Sequence, residues 1–297
     1  MKSVLSPREL GAAIGVSESS LKRWADSGRL DVARTAGGHR RIQVHEAIRF
    51  VREQGFPLQQ PSLLGLGELE DPAGERPPDD PATALHDALV AGEAERARAI
   101  ALATYIDGMP LALIVDRLIA PAMRTLGHRW QHADDGIMIE HRATDICDQV
   151  LGRIRALSAA RDDAPAAVGG APEGDPYVLP SLMAASVLAS EGWSETNLAA
   201  HTPAEVLAQA AAETGARLVW LALSTEQDRT GIHETVEALK RALARRGIRP
   251  ALVVGGPAVA DGPPVSLDGV YHAHSMTELA AFAQGLRSRP TAQPDGD

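Results

Sequence analysis

The chain has 297 residues, a formal net charge of −10, one cysteine and only 3% aromatic residues. The single Cys147 excludes an internal disulfide framework and fits a reducing compartment. No signal-type segment opens the chain and no apolar run reaches the length of a membrane span, so a cytoplasmic protein without a membrane partner is expected. The length allows two or three domains, each with its own core.

Residues 1–55 read as the first domain. Leu10, Ala13 and Ile14 recur at helical spacing, Gly15 stands where a left-handed residue would end a helix, and Ser17 can cap a second helix that turns Leu21 and Trp24 inward. This predicts a helix-turn-helix whose second helix leaves Ser19, Ser20, Lys22 and Arg23 outside, short donors beside cations that suit a major groove. A hairpin follows, its tight two-residue turn expected at Gly37-Gly38, with Arg34, His39, Arg40 and Arg41 flanking the tip where phosphates could lie. A third helix, from about Val44 to Glu53, closes the module. It holds ten Lys/Arg against six Asp/Glu, a net +4, which leaves −14 on the rest of the chain. A basic head on an acidic body places nucleic acid at one end. This order of helices and hairpin resembles the winged helix of the MerR family of transcription regulators, with GGHRRI as its wing. The resemblance implies sequence-specific binding of double-stranded operator DNA, the second helix in the major groove and the wing on the backbone.

In residues 56–81 prolines and glycines interrupt every helical period, which predicts a linker with a short docking segment at Leu63 to Leu69. It has no heptads, so the long dimerisation helix common after MerR heads is not expected here, and oligomerisation falls to later domains. Residues 82–160 carry apolar positions at three and four spacing in segments whose lengths fit a four-helix bundle. From 166 to 288 strand and helix patterns alternate: AAVGG, WSETNLAA, RLVWLALS, ALVVGG and GVYHA as strands between helices. That predicts a doubly wound parallel five-stranded α/β sheet of flavodoxin-like type, with its ligand loops at the carboxyl ends of the strands. Residues 289–297 are expected to be a disordered tail.

An all-α winged helix-turn-helix, a linker, a four-helix bundle and this α/β domain, in that order, resemble the CarH-type cobalamin-dependent photoreceptor repressors of the MerR family. The bundle carries W-x9-E-H as Trp130, Glu140 and His141, which in that family lie over the upper face of adenosylcobalamin. The α/β signature D-x-H-x-x-G, followed by S-x-L and a glycine pair, is degenerate here. Asp175 is kept, Tyr177 stands in place of the histidine and Pro180 in place of the glycine; Ser224 is followed by Thr225 and Glu226; Gly255-Gly256 is intact. Neutral imidazole ligates cobalt well when a carboxylate holds its other nitrogen, whereas a phenol, protonated at neutral pH, is a poor donor. Where glycine would let the backbone approach the nucleotide tail, proline brings a ring and removes an N–H. Gln131 follows Trp130, where the family's light-exposed form has a histidine on the upper cobalt position.

Cobalamin held by histidine is therefore not expected. A corrinoid with its own base or water below the cobalt, another flat ligand such as a tetrapyrrole, or none at all, stay open. His128, His132 and His141 match no zinc or haem spacing, so no metal is expected. His272 and His274, two apart at a strand end, are expected at the surface. The preferred reading is a DNA-binding transcription repressor whose bundle and sheet domains form a homo-oligomer, a dimer or tetramer, answering to a regulatory protein or small molecule. Two alternatives stand beside it: an adenosylcobalamin-dependent light-responsive repressor, and a corrinoid-handling methyltransferase module or mutase subunit. No nucleophile triad, phosphate loop or paired-acid cleft appears, so no enzymatic activity is expected.

Overall fold

A computed structural model describes residues 3–70, 78–130, 136–158, 163–225, 229–260 and 267–288. The chain divides into two compact units, Met1–Ala159 and Ala160–Asp297. The expected tail at 289–297 lies outside the described residues.

The first unit opens with β1 (Val4–Leu5), α1 (Pro7–Ile14) and α2 (Glu18–Asp26), then β2 (Ala33–Arg34), β3 (Arg40–Gln43) and α3 (Val44–Gln54). Ser6 starts α1 with a complete capping box: its backbone N–H donates to Glu9 Oε2 at 2.8 Å, and Glu9 N donates to Ser6 Oγ. Such a box satisfies two orphan donors. Gly15, in the left-handed region, stops α1, and Ser17 caps α2 by accepting from Ser20 N. Trp24 of α2 packs against Phe50 of α3 and Phe56, with ring centroids 5.3 and 5.4 Å away. Phe56 thus belongs to the head, one residue past the expected boundary.

Two expectations for the head are corrected. It is not all-α, because β1 adds to the hairpin in an antiparallel sheet of order β1-β3-β2. A two-residue strand leaves no alternation to read. Nor is Gly37-Gly38 a two-residue turn. Thr35 N donates to His39 O and Gly38 N to Thr35 O, and of the two glycines only Gly38 has positive φ, at 79°. This is a three-residue loop, Ala36 to Gly38, with a left-handed residue at its end, the next commonest hairpin closure.

The 56–81 segment is largely not a free linker. Short 3-10 turns at Pro61–Leu64 and Gly67–Leu69 bury Leu64 and Leu66. Gln59 N donates to Ala13 O at 2.7 Å, and Arg153 Nε donates to Glu68 Oε1 at 2.5 Å. The docking segment at Leu63 to Leu69 is present, and it straps α1 to the bundle. Residues 71–77 of the expected linker lie outside the described residues.

The bundle consists of α4 (Pro81–Ala91), α5 (Ala94–Ile106), α6 (Leu111–Ile114), α7 (Ala120–Trp130) and α8 (Gly136–Arg155), with α6 and α7 joined by a π turn at Val115–Ile119. Sequence periodicity runs straight through that turn. Pro121 explains it: proline has no N–H for the preceding turn and its ring crowds a carbonyl there, so the helix widens just before it. Arg52 of α3 donates to Tyr105 O at 2.7 Å and lies 3.6 Å over the Tyr105 ring, which fixes the head to α5. Cys147 is buried in α8, and burial pushes its thiol up to about 12.

The second unit contains β4 (Ala166–Gly170), α9 (Leu179–Ser190), β5 (Ser194–Asn197), α10 (Ala204–Thr214), β6 (Leu218–Ala222), α11 (Arg229–Arg245), β7 (Ala251–Gly255), β8 (Val270–Ala273) and α12 (Met276–Arg287). All its strand pairs are parallel, in the order β5-β4-β6-β7-β8. That is the flavodoxin-like order, with its topological switch between β4 and β6. One sheet face packs on α10 and α11 through Val219, Leu221, Leu207 and Leu239. The other packs on α9 and α12 through Trp220, Trp193, Ala184, Ala185 and Leu279.

Candidate functional site

Three places hold the side chains singled out by sequence. The first is the outer surface of α2 and the hairpin. Ser19, Lys22, Arg23, Arg34, Gly37, Gly38, His39 and Arg41 are all exposed and lie on these two neighbouring elements. Some are already engaged. Lys22 pairs with Glu18 at 2.8 Å, and Ser20, half-buried, joins the Ser17 cap and accepts from Arg23 Nη2 at 3.3 Å. Arg40 differs from its neighbours: it is only 19% exposed and pairs with Asp26 of α2, while Arg34 lies 4.0 Å from the same carboxylate. Arg40 therefore ties the hairpin to α2 and is not presented at the tip. Sequence reading missed Asp26, whose only signal is an acid at the end of a basic helix.

The second place is the carboxyl edge of the sheet. Asp175 is completely buried. Its Oδ2 accepts from Ser224 N at 2.6 Å and Thr225 N at 3.1 Å, and its Oδ1 accepts from Tyr177 N at 3.1 Å. The carboxylate that could orient an imidazole instead binds three backbone amides and ties the loop after β4 to the loop after β6. Tyr177 is 54% exposed and Val178 beside it is 41% exposed. Pro180 lies in the first turn of α9, where a missing N–H costs the helix nothing. Ser224 Oγ and Thr225 Oγ1 are buried with no hydrogen-bond partner among the described residues; Glu226 lies outside them. Gly255 and Gly256 are required by the fold itself. Gly256 has φ of 117°, and a Cβ there would stand 2.4 Å from Leu223 O.

Behind this edge, Trp220 is 2% exposed and donates through Nε1 to Ser181 Oγ at 3.0 Å; Ser181 Oγ in turn donates to Asn197 Oδ1 at 2.7 Å. None of these three was singled out by sequence, although a tryptophan inside a parallel strand of an aromatic-poor chain was a signal. On the opposite sheet face a cavity of about 310 Å³ lies between α10 and α11 over Leu207, Leu221 and Leu239. It stands at the small end of ligand sites.

In the bundle, Glu140 accepts from Thr144 Oγ1 at 3.1 Å, and His141 is exposed with Nε2 3.6 Å from Glu140 Oε2. Ile137 and Met138 beside them are exposed, at 53% and 59%. His128 is exposed, while the side chain of Trp130 and all of Gln131 and His132 lie outside the described residues. No group of three metal-ligating side chains occurs among the described residues. His274 is exposed as expected, but His272 is half-buried, the two rings 4.0 Å apart. Among the described residues no helix is long and apolar enough to cross a membrane.

Residues 82–155 match the family model of the B12 binding domain. A helical B12-binding domain followed by a parallel five-stranded α/β sheet fits the cobalamin-binding fold. Among solved structures, the monomethylamine corrinoid protein of Methanosarcina barkeri is 19% identical, with 68% of this chain and 96% of that chain covered and a TM-score of 0.50. A cobalamin-binding protein of Desulfitobacterium hafniense DCB-2 is 16% identical over 69% of this chain and 98% of its own, with a TM-score of 0.34. The methanol:cobalamin methyltransferase complex of Methanosarcina barkeri is 16% identical over 92% of this chain and 93% of its own, with a TM-score of 0.38. No curated protein matches the chain.

The family model that residues 82–155 match is one of cobalamin binding. The residues at the sheet edge do not fit cobalamin in the histidine-ligated form. The ligand position holds an exposed phenol, Asp175 is occupied by amides, and the start of α9 is closed by the indole of Trp220.

Proposed function

We propose that the chain is a DNA-binding transcription regulator, a repressor, whose winged helix-turn-helix head reads duplex DNA and whose corrinoid-type region governs assembly without histidine ligation of cobalt. The observation that carries this reading is the exposed row of Ser19, Lys22 and Arg23 on α2, set beside a hairpin bearing His39 and Arg41 and held to α2 by the Arg40–Asp26 pair. A helix of this kind suits a major groove, and the hairpin cations suit the adjoining phosphates. The net +4 of the head against −14 elsewhere supports the same assignment. In this reading the protein works as an oligomer on a two-fold operator and carries out no chemistry of its own. The test is selection of duplexes from a randomised pool by the full-length protein. Enrichment of one motif supports sequence-specific binding; a pool that stays random after several rounds contradicts it.

The match of residues 82–155 to the B12 binding domain favours a second reading, an adenosylcobalamin-dependent light-responsive repressor. Likeness in fold to a corrinoid protein adds a third, a module that carries a corrinoid for a separate methyltransferase or mutase. Tyr177 and the engaged Asp175 weigh against both in their histidine-ligated form. Chromatography after incubation with adenosylcobalamin in the dark separates them from the first: an apoprotein that stays colourless and still binds its duplex supports the regulator without cobalamin.

A further inference from the structure

The surroundings of Trp220 are built for a bicyclic aromatic. The residue beside it on β4 is Gly169, where a Cβ would lie only 2.0 Å from the indole Cδ2, so no side chain fits at that position. On α9 the same cluster holds Ala184, Ala185 and Leu188, and Ser181 accepts the indole N–H. Ser181 itself is fully buried and follows Pro180 directly. The position of Pro180 is where the degenerate motif would bring the backbone against the nucleotide tail of a corrinoid. The tail of cobalamin ends in a benzimidazole, a fused bicycle of nearly the size of an indole.

We infer that Trp220 fills, from within the chain, the space that the nucleotide tail of a histidine-ligated corrinoid would enter, so that any corrinoid taken by this unit keeps its base on its own cobalt. The inference rests on the reading of residues 160–297 as a corrinoid-type fold and is independent of DNA binding by the head. It also separates two obstacles. Restoring the ligand through Tyr177→His and Pro180→Gly leaves the indole in place, and opening the space through Trp220→Gly leaves the cobalt without a ligand.

The test compares the full-length wild type, the Tyr177→His/Pro180→Gly protein and the same protein with Trp220→Gly added. Each is incubated with adenosylcobalamin in the dark, desalted and read by absorbance. The wild type should emerge colourless or with a base-on spectrum. The triple variant should retain corrinoid with its base displaced, at least about tenfold tighter than the double variant. Equal retention by the double and triple variants, a base-displaced spectrum in the wild type, or a folded triple variant that retains nothing would each overturn the inference. A second measurement guards against loss of folding. Trp220→Ala alone should leave an apolar cavity that binds free dimethylbenzimidazole, which raises the melting temperature of the variant and not of the wild type. A variant indifferent to millimolar dimethylbenzimidazole, by melting and by fluorescence, would count equally against it.

Discussion

On α2 and the hairpin, Ser19, Lys22, Arg23, His39 and Arg41 stand exposed on elements whose caps and core are already complete. At the carboxyl edge of the α/β sheet the motif residues that survive face the other way: Asp175 is buried against three amides, and Gly256 is demanded by Leu223 O. Trp220 and Ser181 close the space behind them. The head keeps its polar groups available for a partner, while the sheet edge turns its own inward to hold loops and fill volume. Survival of a motif is thus weak evidence for a ligand when the fold has its own use for each surviving residue.

The contrast breaks first if the inward residues prove dispensable. Trp220→Ala should destabilise the second unit by about 3–5 kcal/mol, the usual cost of deleting a buried indole, read as a lower denaturant midpoint. Asp175→Ala should cost about 3 kcal/mol, because removing the acceptor leaves three amides to find new partners. Both variants should retain duplex affinity if the head is intact. Arg52→Ala should cost about 1–2 kcal/mol in the first unit through loss of the Tyr105 contacts, leaving the second transition unmoved.

The smallest effect is in pH. Burial, and then the neighbouring His274, hold His272 below its ordinary value, with Glu278 opposing through its charge. A lowered folded value favours the neutral ring in the native state. The stability it contributes is present above the unfolded value of about 6.5 and is lost as pH falls through the depressed folded value. His272→Gln should make the decline in melting temperature between pH 7.5 and 5.5 shallower by about a degree or two; an unchanged slope would remove His272 from the account.

Much of the architecture was legible because it is periodic. The helices of the bundle and the strands β4 and β6 to β8 follow from apolar spacing, and Gly15 and Ser17 mark the turn between α1 and α2 correctly. What escaped is local or cooperative. β1 is two residues long and the π turn depends on Pro121 acting across a helical turn; the docking segment at Leu63 to Leu69 was expected, but not the hydrogen bond from Gln59 N to Ala13 O that precedes it. The motif substitutions at Tyr177 and Pro180 could be read directly, but that Asp175 serves amides, that Arg40 serves Asp26 and that Trp220 lies over Gly169 required the third dimension. A side chain's type is written in the sequence; its partner is set by packing.

The most direct test of the account is the salt dependence of duplex binding by the wild type and by Arg23→Ala/Arg41→Ala, measured by anisotropy of a labelled oligonucleotide. Each lost phosphate contact should lower the slope of log affinity against log salt by about 0.9, so the double variant should show a slope smaller by about 2 and weaker binding to every sequence. Full affinity with the same slope would contradict the assignment of this face to DNA.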